Sequence, residues 1–233
     1  MHILERSSPN HGPRPAGAVI DMLILHYTGM RGAAEAIERL CDPEAQVSAH
    51  YLIDEDGTVW RLVAEERRAW HAGVSSWRGR SDINDRSIGI ELVNPGHDWG
   101  YRDFPEAQIT ALEALCRDIL ARHPIPPHLV LGHSDVAPQR KSDPGELFDW
   151  HRLARSGIGF WPGDAARAAA PQSPAELQRL LAAVGYETPQ SGALDDETRQ
   201  VLIAFQRHFR PARCDGEADG ETRAQLAAVA QGI

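Results

Sequence analysis

The chain predicts an α/β fold, a mixed central β-sheet flanked by helices, followed by a small all-α unit of three helices. Three observations lead there. Apolar runs of strand length alternate with stretches of helical periodicity through the first two thirds of the sequence. A tight Asp-Gly hairpin sits among them, which argues against an all-parallel doubly wound sheet. Beyond a Gly/Ala/Pro-rich stretch the strand pattern stops and a helical repeat begins.

Taken in order, MHILERSSPNHGPRPAG (1–17) reads as a Pro-rich leader, and VIDMLILHYTG (19–29) as a buried strand ending in a turn. AAEAIERLC (33–41) is a short helix. SAHYLIDEDGTVWRLV (48–63) is two strands around the Asp-Gly turn, and RSIGIELVN (86–94) is a central strand by its Ile/Leu/Val content. FPEAQITALEALCRDILARH (104–123) has apolar positions at helical spacing, with Pro105 near its start. HLVLGH (128–133) is a strand that delivers GHSDVAPQRKSDPGELFDW (132–150), too irregular and polar for a core and expected to form an active-site rim. GIGFWPGDAARAAAPQSP (157–174) looks like a linker with a short helix in it. In the tail, GALDDETR (192–199) is echoed by GEADGETR (216–223), with Asp195 and Asp219 where N-caps belong. The expected division is a catalytic domain at 1–156, a linker at 157–173 and a helical domain at 174–233.

Composition narrows the function. A net charge of −9 argues against a general nucleic-acid binder and against anionic membrane surfaces. No run approaches a membrane span and no apolar signal region opens the chain, so a cytoplasmic protein is expected, with a periplasmic or envelope-associated one as the alternative. Cys41, Cys116 and Cys214 are odd in number and widely spaced, which suggests reduced and mostly buried thiols.

Of the eleven histidines, His26, His50, His71 and His133 sit in apolar or tightly patterned settings. His26 and His133 each close an apolar strand, and adjacent strands would bring both imidazoles to one edge of the sheet. Asp143, ten residues past His133, could fold over the same edge. Two imidazoles and one carboxylate leave a Zn2+ ion an open position, the pattern of a catalytic site. The alternative is that both are hydrogen-bonded structural histidines. Glu91 lies inside an apolar strand, where a carboxylate is costly unless paired or functional. It is a candidate proton carrier, or else a salt-bridge partner of Arg61 or Arg86. Lys141 could set an ammonium beside an oxyanion, or be a solvated loop lysine.

HYTG, VSAHYLIDEDG, RAWHAGVSSWRGR, NDRSIGIELVN and GHSDVAPQRKSDPGELFDW occur in that order over residues 5 to 155. Together they resemble the zinc-dependent N-acetylmuramoyl-L-alanine amidases of type 2. The resemblance implies cleavage of the amide between N-acetylmuramic acid and L-alanine, with peptidoglycan fragments or the sacculus as substrate. It places His26, His133 and Asp143 on the zinc ligands, Glu91 on the acid/base and Lys141 on the transition-state lysine. Tyr27, Trp70, His71, Arg80, Asn94 and Ala137 would contact substrate, and His50 would be structural. The tail resembles the small helical peptidoglycan-binding domain through its LQRLL, GY, LD and FQR pattern. Where relatives specialised for 1,6-anhydro sugars carry arginines, this chain has Gln46 and Asp82, with Arg78 or Arg80 as nearby replacements, so a broader substrate range is expected. Two rival readings are a non-catalytic peptidoglycan-binding protein, which predicts loss of a ligand, and a zinc peptidase acting within the stem peptide.

Overall fold

The computed structural model describes residues 2–163 and 170–233; the short helix expected in the linker falls largely on 164–169, outside the described residues. The strands are β1 (Ile3–Glu5), β2 (His11–Pro13), β3 (Met22–Tyr27), β4 (Tyr51–Ile53), β5 (Val59–Arg61), β6 (Arg67–Ala69), β7 (Ser87–Leu92) and β8 (Val130–Gly132). Six of them form one sheet in the order β1-β5-β4-β7-β3-β8, while β2 and β6 pair antiparallel beside it. Within the large sheet only β4 and β5 run antiparallel, as the Asp-Gly hairpin predicts. The Pro-rich opening takes part in the fold: β1 extends the sheet along β5, and β2 pairs with β6, a strand the sequence pattern did not mark.

The helices are α1 (Ala33–Cys41), α2 (Ile83–Arg86), α3 (Gly96–Trp99), α4 (Glu106–Arg122), α5 (His133–Val136), α6 (Trp150–Arg155), α7 (Pro174–Val184), α8 (Asp196–Phe209) and α9 (Gly220–Gly232). Side chains alternate across a strand, so the register sorts the sheet into two faces. Ile88, Ile90 and Leu92 of β7 align with Leu23, Leu25 and Tyr27 of β3, and the apolar ones pack in the main core with Ile109, Leu112, Leu115 and Ile119 of α4. The other face of β7 reads Ser87, Gly89 and Glu91, aligned with Met22, Ile24 and His26. Leu52 of β4 lies opposite Glu91 and packs with Ala36 and Leu40 of α1. Polar groups thus gather on the α1 face, near the C-terminal ends of β3 and β7.

The tail is the expected set of three helices. Asp195 and Asp219 are both N-caps, accepting from the Thr198 and Thr222 amides at 2.8 and 2.9 Å. Two buried glutamines explain the echo in the sequence. Gln178 donates to the Thr198 hydroxyl and accepts from the Gly192 amide, while Gln206 does the same to Thr222 and Gly216. Each glutamine therefore clamps one copy of the repeat. All three cysteines are free, but only Cys116 is buried; Cys41 and Cys214 are half-exposed, against the expectation of mostly buried thiols.

Candidate metal centre and active site

His26 ends β3 one residue before its terminus, and His133 follows directly after β8, where the chain turns into α5. The two strands pair in parallel with Leu25 opposite Gly132, so the next residue of each brings an imidazole to the same edge. The irregular segment returns to add Asp143. The three inward atoms form a near-equilateral triangle: Nδ1 of His26 to Nδ1 of His133 is 3.0 Å, and Oδ2 of Asp143 lies 2.9 and 3.1 Å from them. All three residues are buried.

Hydrogen-bond logic fixes the tautomers. Ser87 donates its hydroxyl proton to the Ile83 carbonyl at 2.6 Å, so its oxygen accepts from Nε2–H of His71 at 3.1 Å. Nδ1 of His71 is then an acceptor, and it takes the proton of His26 Nε2 at 3.0 Å. Nδ1 of His26 is left with its lone pair facing the triangle. His133 donates Nε2–H to the Ala72 carbonyl at 3.0 Å, with the same result. Two lone pairs and a carboxylate oxygen converge with no proton between them, which is the donor set a cation needs. Ligands at about 2.0–2.2 Å from a tetrahedral zinc stand roughly 3.4 Å apart, so a few tenths of an ångström of opening would seat the ion.

Electrostatics agree with that geometry. Burial, then the neighbouring His133, holds the His26 imidazole down to about 4, against the pull of Asp143. Burial alone would raise the Asp143 carboxyl, but His133 and His26 draw it well below the ordinary carboxylate range. The His26 imidazole is thus kept available as a neutral donor, beside a carboxylate that stays ionised. Glu91 behaves oppositely. Burial first, then the Asp143 charge, pushes its pKa well above the usual value, and only the Lys141 ammonium works the other way. Its Oε2 has no hydrogen-bond partner among the described residues. The salt-bridge alternatives fail, because Arg61 pairs with Glu5 and Arg86 with Asp21.

These groups line a cleft of about 380 Å³ that also takes in Tyr27, Trp70, Arg39, Asp98 and Ser142. The Tyr27 hydroxyl bridges His97 and Ser142, each at 2.9 Å, and so ties α3 to the metal-bearing segment. Arg140, another lining residue, is committed to the Val74 and Ala72 carbonyls.

Three expected substrate contacts lie outside the cleft lining, and a fourth, His71, has its ring nitrogens engaged. His71 reaches the cleft, but both its ring nitrogens are engaged, one of them by His26, so it orients that ligand. Arg80 lies at the opposite end of the sheet, in a surface pocket with Asp21 and Arg86, and grips the Asp82 carboxylate with Nε and Nη2. Asn94 is fully buried and spends its amide on the Gly96 N–H and the Arg102 carbonyl. Ala137 is buried, and its carbonyl caps the turn by accepting from the Arg140 and Lys141 amides. Nor does Arg78 substitute for a missing arginine, since its amide and Nε both hold the tail at Gly185 and Val184. Gln46 is exposed and outside the cleft lining. His50 is structural as expected, accepting from the Gly89 amide and donating to the Arg67 carbonyl. Of the cleft residues the sequence did not mark, Ser142 carried the plainest signal, lying between Lys141 and Asp143; Arg39 and Asp98 carried none.

A mixed sheet with this cluster at its strand ends and a three-helix tail is the architecture of the type 2 amidases. Comparison with known proteins agrees. The family model for N-acetylmuramoyl-L-alanine amidase matches residues 16–146, and that for a peptidoglycan binding domain matches 171–226. The chain is 44% identical over 226 residues to the N-acetylmuramoyl-L-alanine amidase AmiD of Escherichia coli, covering 88% of this chain and 80% of that one. It is 46% identical over 163 residues to the 1,6-anhydro-N-acetylmuramyl-L-alanine amidase AmpD of Salmonella typhimurium, covering 63% and 85%. A solved structure of E. coli AmiD in complex with the substrate anhydro-N-acetylmuramic acid-L-Ala-D-γ-Glu-L-Lys superposes with a TM-score of 0.82 at 40% identity, covering 94% and 92% of the two chains. That of AmpDh3 from Pseudomonas aeruginosa gives 0.82 at 39%, covering 93% of each. The chain belongs to the N-acetylmuramoyl-L-alanine amidase family, whose type 2 members are zinc-dependent.

Proposed function

We propose that this chain hydrolyses the amide between N-acetylmuramic acid, or its 1,6-anhydro form, and the L-alanine of the stem peptide, with zinc held by His26, His133 and Asp143. Bound there, zinc would supply a Lewis acid and bring the pKa of a water nucleophile to about 7. The single observation that carries the reading is Glu91. It stands across the β3–β7 register from His26, on the same face, half-buried at the cleft, with Oε2 buried and without a hydrogen-bond partner among the described residues. A carboxyl so placed removes the proton of the attacking water and returns it to the departing alanine nitrogen. Lys141 lines the same cleft and its charge acts on both Glu91 and His26, which suits it to the oxyanion that forms on the scissile carbonyl. Tyr27 and Trp70 line the walls that meet the substrate.

Both a soluble muropeptide and the sacculus are proposed as substrates. The AmiD and AmpDh3 complexes hold anhydro-muropeptides, and the tail matches a peptidoglycan binding domain. The proposal is tested by incubating the protein with sacculi and with anhydro-muropeptides, with and without a chelator, and weighing the products. Peptides beginning with L-alanine, lost on chelation, are expected. A shortened stem still attached to the sugar would instead make the chain a peptidase, and no product at all would leave it a binding protein.

A further inference from the structure

Asp135 is not part of the cluster described above, yet it is among the most buried acids of the chain, 1% exposed. Its carboxylate joins three segments. Oδ2 accepts from the backbone amide of Gly132, the residue before His133, at 2.8 Å. The same oxygen accepts from Nδ1–H of His208 on α8 at 2.7 Å, and Oδ1 accepts from the Tyr186 hydroxyl, just past α7, at 2.5 Å. Two parts of the helical tail thus close on one side chain, two residues from a metal-binding histidine.

The packing around it runs to the third ligand. Trp150 stacks on the His208 ring with centroids 3.9 Å apart. A Cβ at Gly132 would meet Pro144 at 2.8 Å and Trp150 at 3.2 Å, so Gly132 is wedged between that indole and the residue after Asp143. The Ser134 amide donates to the Asp143 carbonyl at 2.9 Å, linking the two ligand-bearing stretches directly. On the other side Tyr186 packs edge-on against Trp77 at 4.8 Å, and the Arg78 amide donates to Gly185 at 2.8 Å. The Tyr186 hydroxyl keeps its proton to far above neutral pH, through burial and the Asp135 charge, so the bond it donates persists.

We propose that Asp135 is a positioning residue: it locks the C-terminal helical unit to the backbone at Gly132, and through Gly132 and Ser134 the seating of that unit sets the spacing of His133 and Asp143. The helical unit is then a structural part of the metal centre as well as a candidate wall-binding module. The inference rests on the zinc reading given above, extended to a part of the chain that the amidase family model, ending at 146, does not include.

The test is zinc affinity, measured by competition with a chromogenic chelator, on full-length protein shown to be folded by circular dichroism. Tyr186→Phe removes one hydroxyl, leaves the ring packing, and lies in the helical unit. It should weaken zinc binding about tenfold or more, within the range seen when groups behind metal ligands are altered. Asp135→Asn should do at least as much. Gln139→Ala deletes a docking bond to the Glu197 carbonyl that bypasses Asp135, and should leave affinity unchanged. Amide exchange of the metal-free protein at Gly132 and Ser134 should quicken in Tyr186→Phe. If Tyr186→Phe and Asp135→Asn lower thermal stability yet bind zinc as tightly as wild type, the inference is overturned and Asp135 is a stability contact alone. Should Asp135→Asn fail to fold, Tyr186→Phe decides the matter. Wild-type protein that binds no zinc would sink the zinc reading itself, a different outcome.

Discussion

At the scale of single residues, the centre depends on a line of side chains reaching back through the sheet. Glu91 is half-buried at the cleft, its Oε2 has no partner among the described residues, and its replacement therefore separates chemistry from folding. Glu91→Gln is expected to lower kcat by about 10²–10⁴ with zinc content unchanged, as judged by elemental analysis and steady-state kinetics. His71→Phe deletes the group that holds the His26 tautomer, and should cost about 10- to 100-fold in zinc affinity while the ring volume is kept. Gly89→Ala attacks the same place sterically, because a Cβ there would lie 2.4 Å from the His71 ring. The convergence of His26, His133 and Asp143 could be anticipated from strand-end histidines, and Glu91 stood out as a carboxylate in an apolar run, whereas Lys141 had no pattern of its own and its role came from the family resemblance. The role of His71 was not. It follows from three-dimensional contact with Ser87 and His26, and the one sequence trace of it is the small-polar face Ser87–Gly89–Glu91 that leaves room for a ring.

At the scale of elements, strong periodicity read true and weak periodicity did not. The expected helix at 33–41 matches α1 residue for residue, and that at 104–123 brackets α4, because their apolar positions are the ones buried. Strands β1, β2 and β6 are three residues each, with charged or proline positions, and owe their pairing to neighbours far along the chain; no local pattern could mark them. The segment after His133 looked wholly irregular, yet it opens with the short α5, whose acid Asp135 is spent on partners outside the helix. In the tail, the buried glutamines give an element-level prediction. Gln178→Leu would strand the Gly192 amide and the Thr198 hydroxyl, and should cost roughly 2–3 kcal/mol in denaturant unfolding.

At the scale of the molecule, acid should undo the fold in two stages. His50 is held down to about 3 by burial and then by Arg14. As pH falls below about 6.5 the unfolded chain takes up a proton that the folded one refuses, so stability declines from there toward pH 3. Glu65 is brought to about 2, where Arg122, Tyr51 and His123 outweigh burial, so its contribution is present above about 4.5 and fades below. The urea midpoint should therefore drop between pH 7 and 5 and more steeply under pH 4.5, with the first decline reduced in a folded His50→Gln variant.

Among the described residues, strand β8 pairs with β3 alone and forms the border of the sheet. Val130 and Leu131 share one small apolar recess with Val184, Phe209 and Val229 of the tail. Shaving off the tail would bare that border, with its free backbone groups and aliphatic side chains, to any passing copy of the protein. A proteolytic nick near residue 163 followed by loss of the helices should thus yield clumping in light scattering, and grafting a foreign anchor in their place would need to supply an equivalent shield.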